Sequence, residues 1–307
     1  MSANVELAVA IPQTFLGGPV DRAGIRAFLA RAEHLGFHSA WVVEQIIGKI
    51  PSLEPVALLT YAAAVTERMK LGSAVLLTAL RSPVHLAKYL ASLDHLSEGR
   101  LIVGVGLGGN PKIYPAFGVP AGRRAARFAE GIEVMKQLWT KPRVTFSGEF
   151  YRLENAAMEP KPRQKPHPPL WFGAHHPEAL KRTAALGDGF MGAGSISTEH
   201  FAEEVTQLRG FLHEAGRDPA AFPVAKRVYI AIDRDRDRGM RRLAEWFGAF
   251  YGRPELAGQV AVCGDIGECV DGLARVMRAG ARLLMLNPVF DETEHLERLA
   301  AELAPKL

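Results

Sequence analysis

Short apolar runs alternate along this chain with longer segments whose apolar residues recur every three or four positions, and that alternation predicts a repeated strand–helix fold. Val5–Ile11 reads as a strand. Asp21 can cap a helix that places Ile25, Phe28, Leu29, Ala32 and Leu35 on one side before Gly36 stops it. Ser39–Val43 is the next strand, Val56, Leu59, Ala63 and Thr66 mark a second helix, and Lys70–Leu77 is a strand apolar on both faces. Pro83 opens a helix lined by Leu86, Leu90, Leu93 and Leu96, and Arg100–Val105 follows as the fourth strand.

A polar, Gly/Pro-rich loop to Gly122 then leads to a helix bearing Phe128, Ile132, Met135 and Trp139. There the rhythm pauses: Val144–Phe146 and Phe150–Leu153 flank Ser147 and Gly148 like a hairpin, and Pro160–Pro169 is an extended connector. The segment 141–168 therefore reads as an insertion. Leu170–Gly173, Gly189–Gly192, Val224–Ile232 and Arg282–Leu286 complete the strands, with helices at Pro177–Leu186, Glu199–Ala215, Asp237–Phe250 and Glu292–Leu303. Eight strands with helical crossovers in one domain spanning residues 1–307 predict an α/β fold, a closed (β/α)8 TIM barrel. An open doubly wound sheet is the alternative.

Composition narrows the function. With 48% hydrophobic residues among 307, the chain can bury a large core. The net charge of +4 is spread over 37 basic and 33 acidic residues without aromatic interleaving, so a small-molecule partner is expected and nucleic acid is not. Cys263 and Cys269 form no CxxC pair and sit in no Cys/His cluster, which points to reduced thiols in a cytoplasmic protein without bound metal. The stretch Met1–Ile11 lacks the features of a signal peptide, and no apolar run is long enough to cross a bilayer.

The chemistry is expected at the strand ends. Lys70–Leu77 runs into Ser73-Ala74-Val75, and Arg100–Gly109 breaks into glycines expected to leave amide N–H groups uncovered beside a flat ligand. Gly104, Gly106 and Gly109 satisfy GxGxxG. A dinucleotide fingerprint, however, should end the first strand and open into a helix, whereas this one ends the fourth and meets Asn110-Pro111, expected to block a helix start. His175 and His176 precede a helix whose free N–H groups suit a phosphate.

Several stretches taken in order resemble the bacterial-luciferase-like superfamily of FMN-dependent monooxygenases and deazaflavin (F420)-dependent oxidoreductases. They are Ala32–Val43, Thr66–Val75, Leu93–Gly106, Phe128–Met135 and Ala184–Phe190. The resemblance spans nearly the whole chain and implies the barrel independently of the strand count. It also implies a bulge at Ala74–Val75, often a cis peptide in this superfamily, supporting the back of the ring. Gly106, Leu107, Gly108 and Asn110 would lie beside the ring and ribityl chain, and Ala174, His175 and His176 at the phosphate.

Many members carry an acid followed by His at the end of the second strand, where this chain has Glu44 and Gln45. Gln45 can orient a carbonyl but cannot exchange a proton, so a luciferase-type mechanism is put in doubt. Glu44 and Gln45 are the expected catalytic pair. Sugar-phosphate dehydrogenases of the deazaflavin branch place a Glu where Gly109 stands, which disfavours that substrate class. The expected activity is hydride transfer between F420 and a small organic substrate. The alternatives are an FMN-dependent monooxygenase fed by a separate flavin reductase and a non-catalytic flavin-binding protein. A homodimer is the expected assembly.

Overall fold

A computed structural model describes residues 5–307; residues 1–4, at the start of the amino-terminal stretch read above, lie outside it. Eight parallel strands form the barrel: β1 (Glu6–Ala10), β2 (Ser39–Val42), β3 (Lys70–Ser73), β4 (Leu101–Gly106), β5 (Leu170–Phe172), β6 (Gly189–Gly192), β7 (Val224–Ile232) and β8 (Leu283–Asn287). Each pairs with the next, and β8 pairs with β1 to close the ring, with Glu6 opposite Leu283 and Val9 opposite Leu286. The open-sheet alternative is thereby excluded.

The helices are α1 (Arg22–His34), α2 (Pro55–Val65), α3 (Pro83–Leu96), α4 (Arg124–Thr140), α5 (Pro177–Leu186), α6 (Thr198–Glu214), α7 (Arg236–Tyr251), α8 (Ile266–Arg278) and α9 (Glu292–Arg298). Their starts follow local chemistry. Asp21 accepts from Gly24 N–H, and Glu54 and Ser82 accept from the third residue beyond them, each just ahead of a proline in the first turn.

One connection went unread in the sequence. Val262–Gly264 pairs with the far end of β7, and α8 follows it behind a reciprocal cap in which Asp265 and Glu268 satisfy one another's backbone N–H groups. Nor does Asn110-Pro111 prevent a helix. Asn110 is extended and its side chain accepts from Lys112 N–H, while Pro111, needing no donor in a first turn, opens a 3-10 helix to Phe117. The insertion is a two-stranded hairpin, Val144–Ser147 with Arg152–Ala156. The Glu130 carboxylate of α4 accepts from the N–H groups of Glu149, Phe150 and Tyr151 at 2.8–3.0 Å and holds its turn.

The barrel is filled. Ala8, Trp41, Ile102, Trp171, Met191, Ala225, Leu283 and Met285 pack inside it. Trp41 and Trp171 lie 5.5 Å apart, and each faces a glycine on a neighbouring strand. A Cβ at Gly72 would stand 2.4 Å from the Trp41 ring, and one at Gly189 would stand 2.6 Å from the Trp171 indole nitrogen. The glycines thus create the volume the tryptophans occupy. At the amino-terminal rim all five N–H groups of the Arg100 guanidinium are used, on Ser97 O, Thr66 Oγ1, Met69 O, Ala63 O and Thr66 O. Ligand chemistry is left to the carboxyl ends.

Candidate active site

The centre of the site is a break in β3. The strand stops at Ser73 and resumes as Leu76–Leu77, opposite Val105 and Gly106 of β4. Between the two parts, Ala74 and Val75 are joined by a cis peptide bond. Ala74 N–H donates to Val42 O at 2.7 Å, and the Ser73 hydroxyl exchanges two 2.9 Å hydrogen bonds with the backbone of Gly104. The bulge needs the glycines around it. A Cβ at Gly104 would lie 1.7 Å from Ser73 O, at Gly106 2.6 Å from a Val75 methyl, and at Gly173 3.2 Å from another. Gly104 and Gly106 are therefore small because the bulge presses on them, a different reason from the uncovered amides expected of them.

Above the bulge opens a cavity of about 490 Å³, of the size that takes a cofactor or drug-like ligand. Ala74, Val75, Gly106, Leu107, Gly108, Ala174, His175 and His176 all line it. Its small residues leave the floor low, as a flat ring requires. The Tyr114 hydroxyl donates to Leu107 O at 2.8 Å and pins the loop at one edge.

Basic side chains gather at the α4–α5 side, where Arg124, Arg182, His175 and His176 reach the lining. Burial pulls the Arg182 pKa down, with Glu178 opposing it. His175 Nδ1 lies 2.7 Å from Oε1 of Glu204, which is buried on α6. That contact leaves the opposite edge of the imidazole for a ligand. Beside Glu204 the buried Lys226 ammonium donates to Ala193 O and Ile196 O, and burial pulls its pKa down to about 7.

A niche of about 30 Å³, room for a water or two, adjoins the barrel mouth on the side of β1, β2 and β8. It is lined by Thr14, Trp41, Trp246, Asn287 and Glu292 among others, and it shares Arg227 with the large cavity. Burial, with Asp291 adding to it, raises the Glu292 pKa against the pull of its own backbone N–H and of Arg242. Gln13, also at the wall, is fully engaged: its amide donates to Val43 O and Leu53 O and accepts from Val43 N–H.

Glu44, Gln45 and Asn110 stand apart from the other expected site residues, since neither cavity is lined by them. The Glu44 carboxylate turns under the resumed strand, accepting from Leu77 N–H at 2.8 Å and facing the Arg81 guanidinium at 3.2 Å. Desolvation raises its pKa against both partners. Asn110 is occupied as a cap. Of the three arginines that open α4, Arg124 reaches the cavity, whereas Arg123 pairs with Glu149 at 2.7 Å and Arg127 stacks on Tyr151.

The sequence reading passed over Arg182 and Glu292. Period-two alternation puts Arg227 on the same face of β7 as Ala225, which packs in the barrel interior, and Lys226 on the other. Among the described residues no three His, Cys, Asp or Glu side chains converge as a metal site. Among them too, no helix is long and apolar enough to cross a membrane.

The family profile described as luciferase-like monooxygenase matches residues 7–265. The chain belongs to the luciferase-like monooxygenase family. An uncharacterised protein of Mycobacterium tuberculosis is 40% identical to this family member over 187 residues, an alignment covering 60% of this chain and 64% of that protein. The chain thus spans under two thirds of that relative's length. A protein named F420-dependent glucose-6-phosphate dehydrogenase, from Nakamurella multipartita, is 28% identical over 92% of this chain and 83% of its own. Among solved structures, an F420-dependent secondary alcohol dehydrogenase in complex with an F420-acetone adduct superposes with a TM-score of 0.87 at 20% identity, covering 99% of each chain. The oxygenating constituent of a diketocamphane monooxygenase of Pseudomonas putida, in complex with FMN, superposes at 0.80 with 15% identity over 99% of each chain. Both structures share the fold of this chain.

Proposed function

We propose that this luciferase-like protein is an F420-dependent oxidoreductase acting on a small organic substrate. The observation that carries the reading is the convergence of the β3 bulge, the β4 loop and the α5 amino terminus on one cavity with a low, small-residue floor and a cationic end. That arrangement fits a planar ring with an anionic tail, and relatives named as F420-dependent enzymes favour the deazaflavin over FMN. When bound, the deazaflavin supplies the hydride-transferring carbon.

The chain's own part is binding and orientation. Ala74 and Val75 would back the ring, and the loop Gly106–Gly108, held by Tyr114, would border it. Arg124, Arg182, His175 and His176 would meet the tail's phosphate and carboxylates, His175 being oriented by Glu204. The sugar-phosphate class is not part of this proposal, because Gly109 offers no side chain to such a substrate.

Titrating the apoprotein with F420 and with FMN, followed by ring fluorescence, tests the reading. F420 should bind the more tightly, and Ala74→Phe should weaken it at least tenfold by filling the ring's place. Binding of NADPH alone, with both ring systems refused, would overturn it.

A further inference from the structure

Arg227 is a buried arginine without an ionic partner among the described residues. It is 8% exposed, and among the described residues no carboxylate lies within 4.0 Å of its guanidinium. Its one protein acceptor there is Asn287 Oδ1, at a long 3.4 Å, and its Nε is buried without any. The group is nonetheless firmly placed. It stacks 4.6 Å from the centre of the Tyr229 ring, and its stem passes Gly194, where a Cβ would lie 3.2 Å from two of its carbons.

A guanidinium is charged at any working pH, and burying one without an anion is costly. Where folding supplies no anion, a ligand is the natural source. The surroundings say where that anion would sit. Arg227 forms the wall between the large cavity assigned to the ring and the small niche beyond it. The niche is too small for a whole substrate and large enough for a head group. Asn287 lines it with an amide, and Glu292, the one carboxyl in its lining among the described residues, is biased by burial toward the protonated form that donates to an anion.

We propose that Arg227 is a specificity-determining residue that anchors a carboxylate on the substrate, so that the substrate class is small organic acids held head-first in the niche, with the reacting carbon over the ring. The proposal rests on the deazaflavin reading for the position of the ring. The anchor itself is made by this chain alone and acts in the apoprotein too.

The probes are acetate and benzoate against their neutral isosteres acetamide and benzamide, followed by thermal shift on the apoprotein and by ring fluorescence on the F420-loaded protein. A carboxylate should bind saturably and at least tenfold more tightly than its amide. Arg227→Met should lose that preference while keeping its F420 Kd within twofold, and Arg227→Lys should fall between, since an ammonium lacks the paired donors. Carboxylate and amide binding equally, neither binding, or an unchanged preference in Arg227→Met would each overturn the anchor. Loss of F420 affinity in Arg227→Met would overturn it as well, by giving the guanidinium to the ring. Should Arg227→Met not fold, Arg227→Lys decides on the same readings. Failure of F420 to bind the wild type counts against the cofactor reading alone, because the apoprotein titration is scored separately.

Discussion

Two glutamates at the barrel mouth differ in what their carboxylates face. Glu44 lies two residues beyond β2, where barrel enzymes keep reactive groups; one of its carboxylate oxygens accepts from Leu77 N–H, while the other faces Arg81 at 3.2 Å without a formed hydrogen bond. Glu292, at the start of a helix after β8, carries no motif and lines the niche. Replacing Glu44 with Ala should therefore lower stability by about 1–3 kcal/mol in denaturant melts, by leaving Leu77 N–H without its acceptor, while F420 affinity stays within twofold. Lower turnover at unchanged stability would return Glu44 to the chemistry. For Glu292 the raised pKa sets a sign: the protonated form persists to higher pH than for an ordinary Glu, so benzoate binding should weaken as pH rises through that value. Glu292→Gln should bind benzoate without that pH dependence. A wild-type affinity with the same pH dependence as that of Glu292→Gln would contradict the assignment.

Elements were legible wherever one residue pattern fixed both the period and the boundary. The eight barrel strands and the insertion followed from apolar runs and from Ser147-Gly148, and Pro83 and Pro177 marked helix starts correctly. Helix α8 was missed although Asp265 and Glu268 stand at capping-box spacing and Ile266, Cys269, Leu273 and Val276 recur at helical spacing, because the three-residue strand ahead of it is too short to show as an apolar run. The site was legible in its backbone parts, which sequence order delivers to neighbouring strand ends. It was illegible where long side chains choose between partners, as at Glu44 and Arg227, since neither burial nor pairing is written in a single residue. Arg100 illustrates the opposite rim, binding the turn before β3 to the turn before β4. Arg100→Met should cost about 2–4 kcal/mol by stranding several carbonyls, measured as a fall in denaturation midpoint, with F420 affinity unchanged. A stability within 0.5 kcal/mol of wild type, roughly the scatter of surface substitutions, would show those carbonyls finding water instead.

For the molecule as a whole, three buried groups give stability a characteristic pH profile. Lys226 keeps a pKa of about 7 when folded and regains its ordinary value of 10.5 on unfolding. Between those values the unfolded chain holds more protons, so stability should rise with pH, by about 2 kcal/mol from pH 7 to 9 for this group alone. Burial pushes the thiols of Cys263 and Cys269 the other way, up to about 11 and about 12. Above pH 9 the unfolded chain therefore loses protons that the folded one keeps, and stability should fall. Melting temperatures from pH 6.5 to 10.5 should trace a maximum near pH 9, and Lys226→Met should flatten its lower limb. A wild-type curve already falling from pH 7 would refute the burial of a neutral lysine.

Strand β7 runs for nine residues, and its last three, Ile230–Ile232, have left β6 and β8 to pair with Val262–Gly264. The barrel's rim is therefore uneven, a raised lip backed by Tyr229, Trp246 and Phe247 on one side and loops on the other. Such a lip gives the mouth a direction. Under the proposed reading, a cofactor with its tail toward α4 and α5 would lie across the low side, and a smaller molecule bound for the niche would have to arrive before that route closes or slip in beneath the lip. Order of arrival, a matter of kinetics, would then be set by the length of one strand.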